Sequence, residues 1–69
     1  MRKAICRDCN FSRAKLSGSD MRQCDLQGSN FQDANLLVSN LEGSILQFAN
    51  FRGANLDRAN VKGAKGLLL

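Results

Sequence analysis

Apolar side chains recur along this chain at every fifth position: Cys6, Phe11, Leu16, Met21, Leu26, Phe31, Leu36, Leu41, Leu46, Phe51, Leu56 and Val61. Two residues before each of these centres stands a small residue, from Ala4, Cys9 and Ala14 through Ala54 and Ala59, with Ala64 continuing the series. The position between them is Asn seven times and Asp twice. A period of five fits no α-helix, because successive centres would rotate by roughly 140° and share no face. It fits no flat strand either, because five is odd and side chains alternate with period two. The small residue and the centre do face one way if each repeat is extended for three residues and then turns a corner. Gly18, Gly28, Gly43, Gly53 and Gly63 all fall two residues after a centre, where such a corner takes positive φ. Asn before the centre also tolerates turn conformations. The pattern therefore predicts short bent segments wound into a coil, apolar and small residues inside.

The phenylalanines set the number of sides. Phe11, Phe31 and Phe51 are spaced by twenty, so four segments per turn stack them in one column. Random placement among the centres would do this about one time in fifty. The other columns are Leu16–Leu36–Leu56, Met21–Leu41–Val61 and Cys6–Leu26–Leu46, with Leu36 expected at the centre of the core.

This array resembles the pentapeptide-repeat family, whose motif is Ala-(Asp/Asn)-Leu-X-X, over residues 4–65. The resemblance implies an all-β fold, a right-handed quadrilateral parallel β-helix of about three coils of four pentapeptides. Ile5 and Ile45 depart from it where Asn or Asp is usual, Cys6 is an uncommon centre, and Gly66 ends the apolar series. The register runs unbroken from 4 to 65, which reads as a single domain over residues 1–69 with a C-terminal cap or contact segment at 66–69.

Chemistry is sparse. Cys6-Arg7-Asp8-Cys9 is a C-x-x-C, a spacing used in redox centres and zinc sites. Yet the chain has no His and no second such pair, and Cys6, Cys9 and Cys24 all occupy inward slots. All three are expected to be reduced and largely buried, with no metal and no cofactor. Three cysteines without a signal-peptide core point to a reducing, cytoplasmic location, and no stretch is apolar enough to span a membrane. With no His, Tyr or Trp and with its carboxylates spread over outward positions, the chain reads as no enzyme.

The net charge of +4 raises nucleic acid as a partner, but its distribution argues against it. Residues 1–22 carry six basic and two acidic groups, residues 23–51 three acids and no base, and residues 52–69 four bases and one acid. The register sets Arg22 beside Glu42 beside Lys62, and Arg13 beside Asp33, as cross-strand pairs between coils. No aromatic accompanies the basic residues, as single-strand binding would require. Some members of the family mimic DNA and bind type II topoisomerases (DNA gyrase), which gives charged-face binding as the alternative function; the basic charge disfavours it.

The main reading is a non-catalytic structural or protein–protein interaction module. Its candidate partner surface is apolar material in outward slots: Ile5, Ile45 and Phe48 on one side, Leu37 and Val38 on the other. The protein partner has no identity in the sequence. A second candidate contact is the C-terminal end, where Val61, Leu67, Leu68 and Leu69 cap the last coil or join it to a second copy; the family resemblance also implies a homodimer through the C-terminal coil.

Overall fold

The computed structural model describes residues 2–67. Parallel bridges connect residues twenty apart without exception: Ile5–Asp25–Ile45–Lys65, Asn10–Asn30–Asn50, Lys15–Asn35–Asn55 and Asp20–Asn40–Asn60. These four ladders are the sides of a square coil. We number the faces by their centres: the first holds Cys6, Leu26 and Leu46, the second the three phenylalanines, the third Leu16, Leu36 and Leu56, the fourth Met21, Leu41 and Val61. Each face ends in a corner of the same number.

Backbone hydrogen bonds explain why twenty is the register. The N–H of each centre donates forward, as Phe11 to Asn30 O at 2.7 Å and Leu36 to Asn55 O at 2.8 Å. The N–H of the residue before it donates backward, as Asn30 to Cys9 O at 2.9 Å. The second corner residue donates forward again, as Arg13 to Gln32 O at 2.8 Å. A coil thus leaves few internal donors for its own use, so proline is excluded throughout.

The corners are tight turns closed by a bond from the next small residue back to the centre, such as Ala14 N–H to Phe11 O at 3.0 Å. Their second residue is left-handed at every repeat. Five of these residues are the glycines expected from the sequence, with φ between 69° and 74°. Eight are not glycine, and they include Val38 at 61° and Phe48 at 64°. A β-branched residue in this region is a genuine outlier. It is held there because its N–H must reach the next coil (Val38 to Asp57 O, 2.9 Å).

All nine Asn and Asp residues of the ladders perform one task. The side-chain oxygen of each accepts the N–H of the first corner residue two positions on, at 2.9–3.3 Å, from Ser12 to Asn10 through Lys62 to Asn60. That donor points along the coil rather than between coils, so a short side chain with an acceptor two bonds from Cβ suits it. Ile5, Lys15, Ile45 and Lys65 have no such oxygen to offer.

Inside, Phe11, Phe31 and Phe51 stack with centroids 4.9 and 4.8 Å apart and planes within 9°. This equals the separation of neighbouring strands, so the ladder fixes the stack. Met21, Leu26, Phe31, Leu36 and Leu41 have no exposed surface. The outer centres Phe11, Leu16 and Leu56 are partly buried, because a coil covers them on one side only. Among the described residues, the Ser39 hydroxyl is a buried polar atom without a hydrogen-bond partner.

The expectation of three reduced cysteines is overturned at two of them. Cys6 and Cys9 form a disulfide, and Cys24 stays outside it as a buried thiol. The reason lies in the repeat itself. A centre and the next small residue are the first and fourth residues of a turn, with Cα atoms here 5.7 Å apart, within ordinary disulfide reach. Both cysteines are half-buried in the first coil.

Two outcomes check this account. Leu36→Ala should lose about 2–5 kcal/mol in a denaturant titration, since coils on both sides prevent the cavity from collapsing. Ser39→Ala should gain about 1 kcal/mol in the same assay by removing an unpaired hydroxyl from a slot that elsewhere holds Ala.

Candidate functional site

The first corner carries most of the outward apolar surface. In successive coils its second residue is Asp8, Gly28 and Phe48, all left-handed. A left-handed side chain projects away from the wall, and Phe48 is 86% exposed. Ile5, on the adjoining first face, is 78% exposed, while Ile45 is half-buried. The two isoleucines do not form one patch. Asp25 stands between them in the ladder, and Arg7 Nε donates to its Oδ2 at 2.7 Å. Leu37 and Val38 lie on the third corner, diagonally across the square, with Leu37 half-buried and Val38 54% exposed.

One residue from each of the two candidate surfaces, Phe48 and Leu67, comes to line the same hollow. Lys65 still bridges to Ile45, but at Gly66 the chain leaves the repeat with φ 76° and crosses close over Gln47. A Cβ at residue 66 would run into the Gln47 backbone. This crossing lets Leu67 pack against the core cluster while it also lines a concavity with Gln47, Phe48, Ala64 and Gly66. The concavity measures about 480 Å³. Phe48, from the candidate partner surface, and Leu67, from the candidate contact segment, thus face one hollow. Val61 packs beside the core on the fourth face; Leu68 and Leu69 lie outside the described residues. The signal that would have revealed the convergence is arithmetic: a Gly in a centre slot twenty residues after Leu46 returns the chain to the first corner.

The charged groups arrange themselves differently from the expected ladder of pairs. Arg22 turns to Asp20 of its own repeat, with Nε to Oδ1 at 2.9 Å and Nη2 to Oδ2 at 2.8 Å, while Glu42 acts on it through the field alone. The hydrogen bonds from the Arg22 side chain and backbone pull Asp20 down to about 2. The same Arg22–Asp20 bond raises Arg22. Arg7 likewise lowers Asp25, helped by the Gln27 side chain and N–H. The Arg13–Asp33 pair is not among the ion pairs of the described residues. The carboxylate of Asp33 instead lies over Gly53, where a Cβ would collide with it. A groove of about 550 Å³ runs along the fourth corner past Arg2, Lys3, Arg22, Glu42 and Lys62. Its positive charge is interrupted by Glu42 and by the Asp20 held on Arg22, so it forms no continuous phosphate track.

Among the described residues no cluster of three or more His, Cys, Asp or Glu is placed to hold a metal, and no helix is long and apolar enough to cross a membrane. The disulfide also removes the cysteine count as an argument for a reducing compartment.

A four-sided parallel coil of five-residue repeats, filled with side chains, defines a solenoid of the β-helix class. The chain belongs to the pentapeptide-repeat family: the family model for pentapeptide repeats matches residues 4–36 and 39–65 in eight copies. Members of this family fold as right-handed quadrilateral β-helices and are generally non-catalytic. Among solved structures, the chain is similar to HetL, a pentapeptide repeat protein involved in heterocyst differentiation regulation in the cyanobacterium Nostoc sp. strain PCC 7120. The match has 28% identity and a TM-score of 0.78, covering 99% of this chain and 35% of HetL. It is also similar to the pentapeptide repeat protein Rfr23 of the cyanobacterium Cyanothece 51142, at 28% identity over 94% of this chain and 58% of that one, with a TM-score of 0.36. The chain therefore spans about a third of the length of HetL. No curated protein sequence matches it.

Acid should weaken the fold through the two lowered carboxylates. Asp20 and Asp25 titrate lower folded than unfolded, so their stabilisation is complete above the ordinary value of 3.8 and is lost as pH falls through the folded values, about 2 for Asp20. Denaturant midpoints should hold steady from neutral pH to about 4 and drop below it. Asp20→Asn plus Asp25→Asn should flatten that drop.

Proposed function

We propose that this chain is a non-catalytic protein–protein interaction module that docks through the first corner of its C-terminal coil. One observation carries the reading: Phe48, almost wholly exposed, shares a hollow with Leu67 and Ala64 where the repeat ends. A large apolar ring left almost wholly exposed, away from any core, serves contact rather than stability. Ile45 borders this surface, whereas Ile5, Leu37 and Val38 lie apart from it and are secondary. Among the described residues the centre N–H groups of Phe51, Leu56 and Val61 pair with no further coil, an edge that another chain can pair with. A second copy joined through Val61 and residues 66–69 meets both demands, so a homodimer through the C-terminal coil is the first partner to test. Nothing in the arrangement favours nucleic acid over this, and a cytoplasmic setting remains part of the proposal rather than of the fold.

Sedimentation of the 69-residue chain should show concentration-dependent association that persists as salt rises. Phe48→Asp plus Leu67→Asp should abolish it while the circular dichroism stays unchanged. Deleting residues 67–69 should act likewise. A monomer at all concentrations whose behaviour neither change affects would refute the C-terminal surface; association with oligonucleotides that collapses with salt would favour the charged faces instead.

A further inference from the structure

The C-x-x-C at residues 6–9 has no part in that docking surface, yet its geometry differs from that of ten other corners. At those ten the small residue returns its N–H to the centre carbonyl, as in Ser19 to Leu16, Ser29 to Leu26 and Ala49 to Leu46, at 3.0–3.2 Å. At the first corner of the first coil the Cys9 N–H goes to the Ser29 hydroxyl at 3.3 Å, and that hydroxyl donates to Cys6 O at 2.9 Å. A side chain of the second coil is thus inserted into the turn that the disulfide spans. Ser44, in the corresponding slot of another corner, keeps its hydroxyl on its own Leu41 carbonyl at 2.7 Å.

We propose that Cys6–Cys9 is a site of thiol–disulfide exchange with a dithiol reductant, and that its redox state decides whether Ser29 ties the first coil to the second. Three observations support it. Both cysteines are half-buried rather than enclosed, which leaves them within reach of a reductant. Cys24 has no exposed surface, which confines the chemistry to the pair. The loop closed by the bond is only four residues long, so opening it frees little chain and leaves the solenoid folded.

The reaction balances within the pair and its reductant. A thiolate of the dithiol attacks one sulfur, the Cys6–Cys9 bond breaks, and the other cysteine leaves as a thiolate that takes up a proton. The second thiol of the reductant then displaces the mixed disulfide. Two electrons have passed from reductant to protein, the reductant is a disulfide, and Cys6 and Cys9 are both thiols. Without the cross-link the turn closes as its neighbours do, Cys9 N–H to Cys6 O, and the Ser29 hydroxyl is released to the Leu26 carbonyl in the manner of Ser44.

The test equilibrates the full chain in mixtures of reduced and oxidised dithiothreitol, quenches with acid and maps alkylated cysteines by mass spectrometry. Amide hydrogen exchange is read in parallel. Cys6 and Cys9 should convert together at a single midpoint while native Cys24 stays unlabelled, and exchange at Cys9 should differ between the two states. Ser29→Ala, which substitutes the residue found at 49 in the same column, should speed reduction several-fold and abolish that difference. The proposal is overturned if Cys6 and Cys9 remain fully alkylatable in oxidised dithiothreitol, or if Cys24 exchanges as readily as they do. Identical amide exchange at Cys9 in both redox states of the natural sequence would also overturn it, whatever the variant does.

Discussion

One backbone demand governs this molecule: every fifth residue must turn with positive φ, and as far as Gly43 it also hands its N–H to the coil beyond. Left-handed backbone costs an ordinary residue roughly 1–2 kcal/mol, and eight corners accept that cost. Six of them, Lys3, Asp8, Arg13, Gln23, Asp33 and Val38, do so because the alternative is worse. A corner that relaxed would swing its N–H off the ladder, shift the register of the following face and expose a centre that the next coil should cover. The strain is local and repeated, whereas the cooperation it secures runs the length of the array.

The polar ladder and the apolar columns are two readings of the same demand. Asn and Asp silence the corner donor that neither neighbouring coil can take, which is why they occupy the ladder rather than any other short polar residue. Ile5 and Ile45 give up that service, and Ile45 does so beside Phe48, where the wall turns from a solvated surface into an apolar one. Of the departures from the polar ladder, Ile45 and Lys65 lie at the proposed contact, while Ile5 and Lys15 lie apart from it. Residues that obey the repeat explain the fold; those that break it, Ile45, Phe48 and Gly66, mark the place to look for function.

Most of the architecture was legible from spacing alone. The four columns, the Phe stack, the burial of Leu36 and the glycine corners all depend on register, and register is a property of the sequence. What failed to show was everything decided by a choice between near-equal neighbours. Arg22 had Glu42 on one side and Asp20 on the other, and the two-residue reach within a repeat gave the bidentate fit. Cys6 and Cys9 were correctly placed in inward slots, but inward slots at the two ends of a turn are also close enough to bond. Phe48 and Leu67 are nineteen positions apart and seemed unrelated until Gly66 broke the step and turned the chain back.

The corner glycines carry a consequence beyond backbone freedom. Asp8 rests its carboxylate over Gly28, and Asp33 over Gly53, in the volume that a Cβ would fill. Gly18, with no coil before it, has nothing in that space. At residues 28 and 53 the identity of the corner residue is thus settled by its predecessor one coil back as well as by its own dihedral angles. Over generations such positions cannot drift singly. A lineage that loses Gly53 must shorten or redirect residue 33, so change along this solenoid should be inherited in couplets twenty residues apart, and the wall keeps a memory of its own pitch.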